Sequence, residues 1–582
     1  MTTNQMQIAY DVECYPNYFL AAFKNPDNGK SVSLEVVGEN NSLSQKDRKK
    51  LLSLMVKRTT FGYNSNRYDL PMILAAMKGL TCRQLKIISD EIIEKDMQQW
   101  QTLKKFDLVS EYPITTIDLM QVAPGVFTSL KLYGGRMNSP RLQDLPYPPY
   151  TVLNKNQIEK VKDYCVNNDL DTTIDLYNNL QEDLNLRVYM SKEYGLNLMS
   201  KGGAQIAEAI IQKKFNVGSN KNPPPNKVRY KAPSYIKFKS PQLNNILEFV
   251  NNYEFNVDKS GYVKLPAKLI EPITINQTSY KMGLGGLHDT SKNLTLKKVI
   301  DSDVVSYYPS IMINDRISPP VIGPKFTPYF RSIFNKRIEA KSKGEKLKSN
   351  SLKLILNSTF GKLSNRWSCM YDPEGMLAVT ITGQLALLML IETLEDDGCR
   401  VYSANTDGIV HEPGELSLLK DWQKITNFKL EHTLYDKFYS RDVNNYLALQ
   451  NNGQVKTKGV FAKPGLNKNP AMPIVYEAVV NNLTQGVNIN ETIINCQDIT
   501  KFLTVRTVKG GAEWKGEPLG KVVRWYQSTN GKRINYITNG NKVPKSDGAV
   551  PMMQINNGIP KDLDFAYYIE EANSVLELFV DG

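Results

Sequence analysis

The first 190 residues alternate short runs rich in β-branched and aromatic residues with stretches of helical periodicity. The run QIAYDVE predicts a strand, a helix is predicted near 43–57, TTFGYN predicts a second strand, and another helix is predicted near 69–79. Strands that alternate with helices are typical of an α/β domain. We therefore predict an α/β domain at the start of the chain.

The hydrophobic pattern changes after this domain. Residues 212–242 are rich in Lys, Asn and Pro and lack periodicity, which predicts a connector that faces nucleic acid. Strands and helices resume near 280, the chain after about 465 is mixed, and an amphipathic helix is predicted within DFAYYIEEANSVLELFV. The longest uncharged run, 375–391, falls short of a bilayer span and predicts a buried helix.

Length and charge narrow the class of protein. A chain of 582 residues is several times longer than a typical domain, so three or more packed units are expected. Lys and Arg number 72 against 59 for Asp and Glu, and the surplus recurs from about residue 200 onward. This favours a polyanionic partner, although charge alone does not separate nucleic-acid binders from other basic proteins.

Cysteine, histidine and motif content argue against several classes. The six cysteines form no C-x-x-C pair and only three histidines occur, which disfavours a zinc site and a disulfide framework. We expect reduced core cysteines of a cytosolic protein. No charged region followed by an apolar core opens the sequence, so no secretory signal is expected. The sequence contains neither a G-x-x-x-x-G-K-[ST] loop nor a fixed-period repeat, which argues against a helicase or other ATPase.

A candidate metal ligand lies in VIDSDVVSYYPSI at 299–311. The segment predicts a strand that ends before a helix with Pro309 in its first turn, so Asp303 lies at the end of the strand. A carboxylate at this point, followed by an aromatic pair and a tight turn, can hold Mg²⁺ beside a nucleotide sugar. The alternative interpretation is a capping Asp at a strand–helix junction.

A second candidate lies in CRVYSANTDGIVH at 399–411. The segment predicts two strands around a turn that contains Asp407 and Gly408, and an ordinary hairpin turn would explain it equally well. A hairpin tip beside the end of the first strand would bring Asp407 close to Asp303. Two such carboxylates can bind the metal pair of phosphoryl transfer.

A helical segment, KLILNSTFGK at 353–362, lies between these two. Its spacing places Lys353, Asn357 and Phe360 on one helical face. The face offers a cation, an amide and a ring, which fits a bound triphosphate with Lys353 on phosphate, Asn357 fixing the geometry and Phe360 against the base.

A helical hairpin is predicted around Gly344, because Gly344 marks a turn before this helix. Arg337 and Lys341 are four positions apart on the preceding helical stretch. Such a pair fits inward cations, but it is also typical of a solvated helix face.

A second acidic set lies in the N-terminal domain. The strand period in QIAYDVECY places Asp11 and Glu13 on one face, as a shared metal requires. GYNSNRYD at 62–69 follows a short strand, and DYCVNNDLD at 163–171 lies on a predicted helix. Carboxylates at these positions can hold two metals, and a tyrosine can orient the attacking water. The candidates are Asp11, Glu13, Asp69, Asp169 and Tyr164.

These segments, in this order, resemble the motifs of family B DNA polymerases. The synthesis motifs read D-x-x-S-L-Y-P-S, K-x-x-x-N-S-x-Y-G and Y-x-D-T-D, and the exonuclease motifs read D-x-E, N-x-x-x-[FY]-D and Y-x-x-x-D. The resemblance covers nearly the whole chain. It implies an α/β multidomain fold: an RNase H-like exonuclease domain at 1–190, a connector and N-terminal-type segment at 191–280, a palm at 281–465 with fingers inserted at about 315–365, and a thumb and C-terminal segment at 466–582.

The resemblance also implies roles for single residues. YKMGLGGLH at 280–288 is similar to a glycine-rich stretch close to the template, and LGKVVRWY at 519–526 is similar to a basic thumb segment. By the same likeness, the synthesis metals are held by Asp303, Val304 and Asp407. Tyr308 is the gate that excludes ribonucleotides, and Asn64 and Tyr68 clasp the frayed primer end. The incoming nucleotide contacts Arg337, Lys341, Lys353, Asn357 and Phe360, and Lys456 and Lys458 bind DNA at the primer phosphates.

Two departures concern the synthesis motifs. Phe360 stands where the family usually has Tyr, which removes only a hydroxyl. Asn405 stands where the family usually has the first Asp of its last motif. Either Asn405 acts through a hydrogen bond, or catalysis rests on Asp303 and Asp407 alone. We favour the second alternative, because two carboxylates and the substrate phosphates can complete a Mg²⁺ shell.

A third departure concerns the editing motifs. Tyr164 precedes Asp169 by five positions, whereas the family pattern has four. On an α-helix one extra residue rotates a side chain by about 100°. Either the helix bulges or the role of the tyrosine is shifted.

The resemblance implies a DNA-directed DNA polymerase with a proofreading 3′→5′ exonuclease, which replicates a phage genome in the cytoplasm of the host cell. Its implied cofactors are Mg²⁺, two ions at each site, with Mn²⁺ as a substitute. The implied partners are primer–template DNA, dNTPs, and a phage helicase, primase or single-strand binding protein. We expect a monomer without a membrane partner.

Motif spacing refines this expectation. Asp303 and Lys353 are 50 positions apart, and Lys353 and Asp407 are 54 apart, which leaves room for short fingers. We expect a primer-dependent enzyme without strong intrinsic strand displacement. Two other hypotheses stay open: a 3′→5′ exonuclease whose C-terminal half only binds DNA, and a non-enzymatic basic DNA-binding protein. A binding surface, however, has no need of Asp303, Lys353 and Asp407 together.

Overall fold

The computed structural model describes residues 7–125, 128–556 and 558–579. The chain forms two compact units. The first comprises Met1–Gly202, Pro464–Ile474 and Ile493–Tyr568, and the second comprises Gly203–Lys463, Val475–Thr492 and Ile569–Gly582. The predicted exonuclease segment 1–190 therefore stays within one unit, whereas the predicted thumb segment 466–582 is divided between the two.

The first unit is built on a five-stranded mixed sheet. Its first three strands form an antiparallel meander, and two further strands add in parallel. Apolar clusters cover both faces of the sheet, and the second strand is buried at every position, as expected of an α/β domain. In chain order the strands are Gln7–Tyr15, Tyr18–Lys24, Ser31–Val37, Thr59–Gly62 and Thr116–Asp118.

Helices of the first unit begin at side-chain caps that the sequence already shows. Ser44, Thr81 and Asn154 each accept a hydrogen bond from a backbone N–H in the first turn of the helix that follows. The predicted helices near 43–57 and 69–79 are both present. The helices are Gln45–Lys57, Asp69–Met77, Cys82–Glu94, Gln99–Lys105, Leu119–Val122, Leu130–Met137, Lys155–Tyr164, Leu170–Asn179 and Gln181–Tyr194.

A second, antiparallel sheet in the first unit corrects one expectation. Its strands are Asn535–Tyr536, Thr504–Trp514, Glu517–Gln527 and Ala549–Pro551. The segment predicted as part of a basic thumb that grips duplex DNA, LGKVVRWY, enters the core, and Arg524 is fully buried. Its guanidinium donates to the carbonyls of Ser139 at 2.9 Å and Met552 at 2.8 Å. Arg524 therefore holds backbone carbonyls together and does not reach a DNA phosphate.

The second unit is built on a nine-stranded antiparallel sheet. Its two longest strands pair along most of their length at the centre of the sheet. In sheet order the strands are Val455–Thr457, Asn445–Gln450, Leu430–Asp442, Lys292–Val304, Gly408–His411, Val401–Asn405, His288–Asp289, Thr278–Lys281 and Ile273–Ile275. A separate two-stranded sheet joins Lys227–Arg229 and Glu254–Asn256.

One helix, Pro373–Asp396, forms much of the core of the second unit. It is long and apolar enough to cross a membrane by length and composition alone, but 89% of its apolar window is buried. This confirms the buried helix predicted at 375–391. The remaining helices, in chain order, are Gly203–Phe215, Pro241–Asn252, Ala267–Ile270, Tyr307–Asn314, Phe326–Ser342, Lys346–Lys362, Leu416–Thr426, Pro473–Gln485, Ile489–Ile494 and Phe565–Glu577.

Part of the segment 212–242 is anchored to this helix, whereas most residues of 216–229 are exposed. The Tyr230 ring is buried and its hydroxyl lies 3.0 Å from the hydroxyl of Thr382. The backbone N–H groups of Lys239 and Ser240 donate to the carboxylate of Glu392 at 2.9 and 2.8 Å. The absence of periodicity therefore reflects an irregular backbone that a few side chains anchor to the core.

Candidate active sites

Four carboxylates converge in the first unit, each held by a different part of the fold. Asp11 and Glu13 share a face of the strand Gln7–Tyr15, as the strand period predicts. Asp69 opens the helix Asp69–Met77 and accepts the N–H of Val12 at 2.9 Å. Asp169 closes the turn after the helix Lys155–Tyr164. We call this set the editing cluster.

The electrostatics of the editing cluster are those of crowded, desolvated acids. Burial, with repulsion from Asp169, raises the pKa of Asp11 to about 7. Burial raises the pKa of Asp169 to about 6, and the pKa values of Glu13 and Asp69 lie well above their ordinary range for the same reason. A set of carboxylate oxygens that repel one another suits hard divalent cations such as Mg²⁺.

The helix that carries Tyr164 changes its winding at the cluster. The helix Lys155–Tyr164 continues as a π-helical turn, Cys165–Asp169, in which the N–H of Leu170 bonds the carbonyl of Cys165. The Tyr164 hydroxyl lies close enough to the Asp169 carboxylate to oppose part of the rise that burial causes in the pKa of Asp169. Of the two alternatives left open by the spacing, the structure therefore has the bulged helix.

Two residues near the editing cluster were missed by the sequence motifs. The Lys131 ammonium lies 2.9 Å from the carboxylate of Asp144 and its positive charge lowers the pKa of Asp169. The Cys165 thiol donates to Asp11 at 3.4 Å, and its sulfur lies within 4.8 Å of the ligand oxygens of Asp11 and Glu13. A lone Lys and a lone Cys carry no recognisable pattern, so only folding reveals them.

Asn64 and Tyr68 lie at the edge of the cluster. Asn64 adopts a left-handed backbone conformation, with φ of 55°, in the turn before the helix Asp69–Met77. The Tyr68 ring packs against the apolar core and its hydroxyl lies 2.8 Å from that of Ser89. Their role at a primer end stays a prediction.

The second unit brings Asp303 and Asp407 together. Asp303 lies next to the last position of the strand Lys292–Val304 and pairs directly with Gly408 of the neighbouring strand. The N–H of Val304 donates to the carbonyl of Asp407 at 2.7 Å. Asp407 occupies the hairpin turn between Val401–Asn405 and Gly408–His411. We call Asp303 and Asp407 the synthesis pair.

A glycine makes room for this pair. A Cβ atom on Gly408 would lie 2.0 Å from the carboxylate oxygen Oδ1 of Asp303. Desolvation, with repulsion from Asp301 and Asp407, raises the pKa of Asp303 to about 6. Desolvation also raises the pKa of Asp407, against the opposing charge of Lys458. The oxygen donors of the pair fit Mg²⁺.

Asn405 is engaged away from the pair. Its side-chain N–H donates to the carbonyl of Val443 at 2.9 Å, and its amide oxygen accepts the Thr406 hydroxyl at 3.3 Å. The amide oxygen thus bonds within the hairpin turn, and the amide nitrogen bonds the turn between the strands Leu430–Asp442 and Asn445–Gln450. The alternative in which Asp303 and Asp407 act without Asn405 stays a prediction.

Lys456, predicted to bind DNA, has an acidic partner within the sheet. Its ammonium lies 3.0 Å from Oδ2 of Asp301, which also accepts the Tyr435 hydroxyl at 2.9 Å. Asp301 was missed, although D-S-D on a strand places Asp301 and Asp303 on one face by the period that linked Asp11 to Glu13. Lys458 lies 5.7 Å from the ring centroid of Tyr446.

The helix Lys346–Lys362 brings the three residues of the predicted face together, and their nucleotide-binding role stays a prediction. Lys353 and Asn357 are exposed there, and Phe360 lies on the same face. The ring centroids of Phe360 and Tyr308 are 4.3 Å apart, and the Tyr308 hydroxyl donates to the carbonyl of Gly285 at 2.9 Å. Tyr308 therefore links this helix face to the glycine-rich loop.

The helical hairpin predicted around Gly344 is also present. It joins Phe326–Ser342 to Lys346–Lys362, with Gly344 at φ of 70°. Arg337 hydrogen-bonds the hydroxyl of Ser306, just after the strand that carries Asp303. The Lys341 ammonium lies 2.8 Å from Glu431, which pairs directly with Asp303 across the sheet.

No protein family model and no curated protein matches this chain. Among solved structures, the chain is similar to the family B DNA polymerase from the hyperthermophilic archaeon Pyrobaculum calidifontis. The alignment covers 100% of this chain and 78% of that chain, with 13% sequence identity and a TM-score of 0.40. A similarity this distant decides neither the fold nor the activity.

The side chains gathered at each site indicate which reaction that site could catalyse. The editing cluster offers four carboxylates, a tyrosine hydroxyl and a nearby ammonium, a set suited to metal-assisted hydrolysis of a phosphodiester. The synthesis pair offers two carboxylates at a hairpin tip. The same unit carries the helix face with Lys353 and Asn357, so its groups suit phosphoryl transfer from a triphosphate.

Proposed function

We propose that this chain is a template-directed, primer-dependent DNA polymerase of family B, with a 3′→5′ proofreading exonuclease. The observation that carries the proposal is the pairing of Asp303 with Gly408, because it brings Asp303 and Asp407 together where the motif resemblance expects the synthesis metals. The contact between Tyr308 and Phe360 supports it, since it connects the gate residue with the nucleotide-binding helix.

In the synthesis reaction, the chain's own groups bind and orient the substrates. Asp303 and Asp407 would hold two Mg²⁺ ions, with Val304 beside them, and bound Mg²⁺ neutralises phosphate charge and favours ionisation of the primer hydroxyl. Lys353 and Asn357 bind the triphosphate, and Lys341 joins them when it leaves Glu431. The rings of Tyr308 and Phe360 form a flat wall against the sugar and base.

In the editing reaction, the chain would hold Mg²⁺ through Asp11, Glu13, Asp69 and Asp169. The Tyr164 hydroxyl orients the attacking water, and Asp169 fixes the direction of that hydroxyl. Lys131 places a positive charge close to Asp169, where it suits the phosphate of the terminal nucleotide.

Primer extension and primer degradation by three proteins test the proposal. The wild type is expected to extend a primer with dNTPs and to degrade it without them. Asp407→Ala should lose extension and keep degradation, whereas Asp11→Ala should lose degradation and keep extension. Each variant is the folding control for the other. Extension by Asp407→Ala at the wild-type rate would refute the synthesis site, and degradation without any extension by the wild type would favour a nuclease whose second unit only binds DNA.

We further propose a phage replication enzyme that acts as a monomer in the cytoplasm of the host cell, alongside a helicase, primase or single-strand binding protein. The short spacing between motifs supports weak strand displacement. Unaided copying of long duplex DNA, or synthesis that starts only from a protein-linked nucleotide, would contradict this part of the proposal. Mn²⁺ is expected to replace Mg²⁺ in both reactions.

A further inference from the structure

Three polar groups close a triangle beside the synthesis pair. Asp301 lies two positions before Asp303, on the same face of the strand Lys292–Val304. Its oxygen Oδ2 is 3.0 Å from the Lys456 ammonium and 2.9 Å from the Tyr435 hydroxyl, and these two partners are 3.0 Å apart. We call Asp301, Lys456 and Tyr435 the triad.

The triad is fixed in place. Asp301 is only 7% exposed. The Lys456 ammonium lies 5.7 and 5.9 Å from the ring centroids of Tyr435 and Tyr446. Burial opposes the charge of Lys456, yet the contacts with Asp301 and Tyr435 raise its pKa above its ordinary value. Lys456 is therefore a permanent positive charge next to the synthesis pair.

The balance of charge around the pair depends on Asp301. Burial raises the pKa of Asp303 most, Asp301 and Asp407 raise it further, and Lys456 and Lys458 oppose the rise. With Asp301, three carboxylates face two ammonium groups, so this set carries one net negative charge. Without Asp301 the set is neutral, although the resemblance leads one to expect another carboxylate at the position of Asn405.

We propose that Asp301 is a positioning residue of the synthesis site, which neutralises and anchors Lys456 and supplies from the neighbouring strand the negative charge that Asn405 lacks. Divalent cations then bind at Asp303 and Asp407 in a site of net negative charge. The inference rests on the proposed function, because it takes Asp303 and Asp407 as the metal ligands. We expected Lys456 to bind the primer phosphates. In the protein, its positive charge is already paired with the Asp301 carboxylate.

Direct measurement of Mn²⁺ binding tests the inference without relying on activity. Free Mn²⁺ is measured by electron paramagnetic resonance, without DNA or nucleotide, in an Asp11→Ala background that weakens the editing cluster. Four proteins are compared: the background itself, Asp301→Asn, Lys456→Met, and the double variant. The net charges are −1, 0, −2 and −1 in that order. Asp301→Asn should raise the Kd about tenfold, Lys456→Met should lower it, and the double variant should match the background.

A matched control separates this effect from damage to the fold. Asp289 is a buried carboxylate of the same sheet that accepts the Ser403 hydroxyl at 2.6 Å and the N–H of Ala404 at 3.2 Å. Asp289→Asn removes a charge of equal burial without touching Lys456, so its Kd for Mn²⁺ should equal that of the background. If Asp301→Asn binds Mn²⁺ as Asp289→Asn does, or the double variant binds as weakly as Asp301→Asn, the inference is overturned.

The failure of this inference is distinguishable from failure of the proposed function. Primer extension in the Asp11→Ala background, with Mg²⁺ varied, should show Asp301→Asn needing more metal for half-maximal rate but reaching a similar rate at saturation. A wild type that never extends primers, together with the expected order of Mn²⁺ affinities, would overturn the function and support the charge balance. Normal extension with equal affinities in all four proteins would overturn the inference alone.

Discussion

Tyr164 and Asp169 interact across a π-helical turn, although they are five positions apart: the Tyr164 hydroxyl opposes part of the rise that burial causes in the pKa of Asp169. On a regular α-helix, side chains five positions apart point about 140° away from each other. The wider turn Cys165–Asp169 removes this difference and places both groups at the editing cluster. The unusual spacing is thus accommodated locally, at a functional site, as π-helical turns often are.

Removal of the Tyr164 hydroxyl tests its role in editing. Tyr164→Phe should lower the rate of primer degradation by about 10- to 100-fold, because the attacking water loses its oriented partner. Primer extension should keep the wild-type rate. Tyr15→Phe is the control, since its hydroxyl donates to the carbonyl of Tyr147, at 2.9 Å in the same unit, and not to a carboxylate of the editing cluster. Equal rates of degradation for the two variants would contradict the role.

Shortening the π-helical turn tests the geometry. Deletion of Asn167, which is exposed, would leave the tyrosine and the aspartate four positions apart on a regular α-helix, about 40° from each other. We expect degradation to stay close to the wild-type rate, because the π-helical turn does no more than absorb the extra residue, while thermal unfolding shows that the first unit stays folded. A folded deletion variant that degrades primers as slowly as Tyr164→Phe would contradict this account of the turn. Asn167→Ala, which keeps the length, should edit normally.

Gly408→Ala tests the packing of the synthesis pair. The added methyl group would lie 2.0 Å from Asp303, so the carboxylate or the hairpin must move. A displacement of about 1 Å at a reacting centre costs about 100-fold in rate, and overpacking costs about 1–3 kcal/mol of stability. We expect extension to fall by about 100-fold with degradation unchanged. Gly218→Ala, where the methyl group meets open space, should leave extension unchanged.

Stability of the metal-free protein should depend on pH in a defined direction. Burial raises the folded-state pKa of Asp11 to about 7 and of Asp169 to about 6, above their unfolded values near 4. The folded state therefore binds protons more tightly, so this contribution to stability is complete below pH 4 and is lost as the pH rises through 6 to 7. In EDTA, the first unit should melt roughly 5 °C higher at pH 5.5 than at pH 8.

Mg²⁺ should reverse this trend, because it binds the ionised carboxylates. The variant Asp11→Asn with Asp169→Asn should show a smaller difference in melting temperature between the two pH values in EDTA than the wild type, since only Glu13 and Asp69 of the cluster still titrate. A wild type that is more stable at pH 8 than at pH 5.5 in EDTA would contradict the assigned pKa directions, provided that the melting transition of the first unit is followed.

The ion pair of Lys341 and Glu431 is expected to affect nucleotide binding and not stability. Their side chains are 56% and 62% exposed, and pairs of this kind contribute about 0–1 kcal/mol. Glu431→Gln releases Lys341, so the KM for dNTPs should fall about two- to fivefold without a change in melting temperature. Glu339→Gln, which breaks a pair with Lys343 on the same helix, should leave the KM unchanged. A higher KM in Glu431→Gln would contradict this role.

Local periodicity was enough to predict the parts of both sites that lie within single elements. The strand period places Asp11 with Glu13, and the helical period places Lys353, Asn357 and Phe360 on one face, because backbone geometry alone sets these directions. The hairpin with Asp407 in its turn follows from the apolar runs that flank it. The pairing of this hairpin with the strand that carries Asp303 brings the two carboxylates together, as the sequence predicts.

Contacts between distant parts of the chain were beyond such patterns. Lys456 pairs with Asp301, which is 155 positions away, and buried Arg524 donates to the carbonyl of Ser139, which is 385 positions away. The partners of these two cations could therefore not be predicted from the residues next to them in the sequence. The spacing of Tyr164 and Asp169 allowed either a bulged helix or a shifted role of the tyrosine. The π-helical turn Cys165–Asp169 shows that the helix is bulged. Residue types and local periods specify which groups are available, but burial and pairing depend on the three-dimensional packing that desolvates a charge and brings its partner within reach.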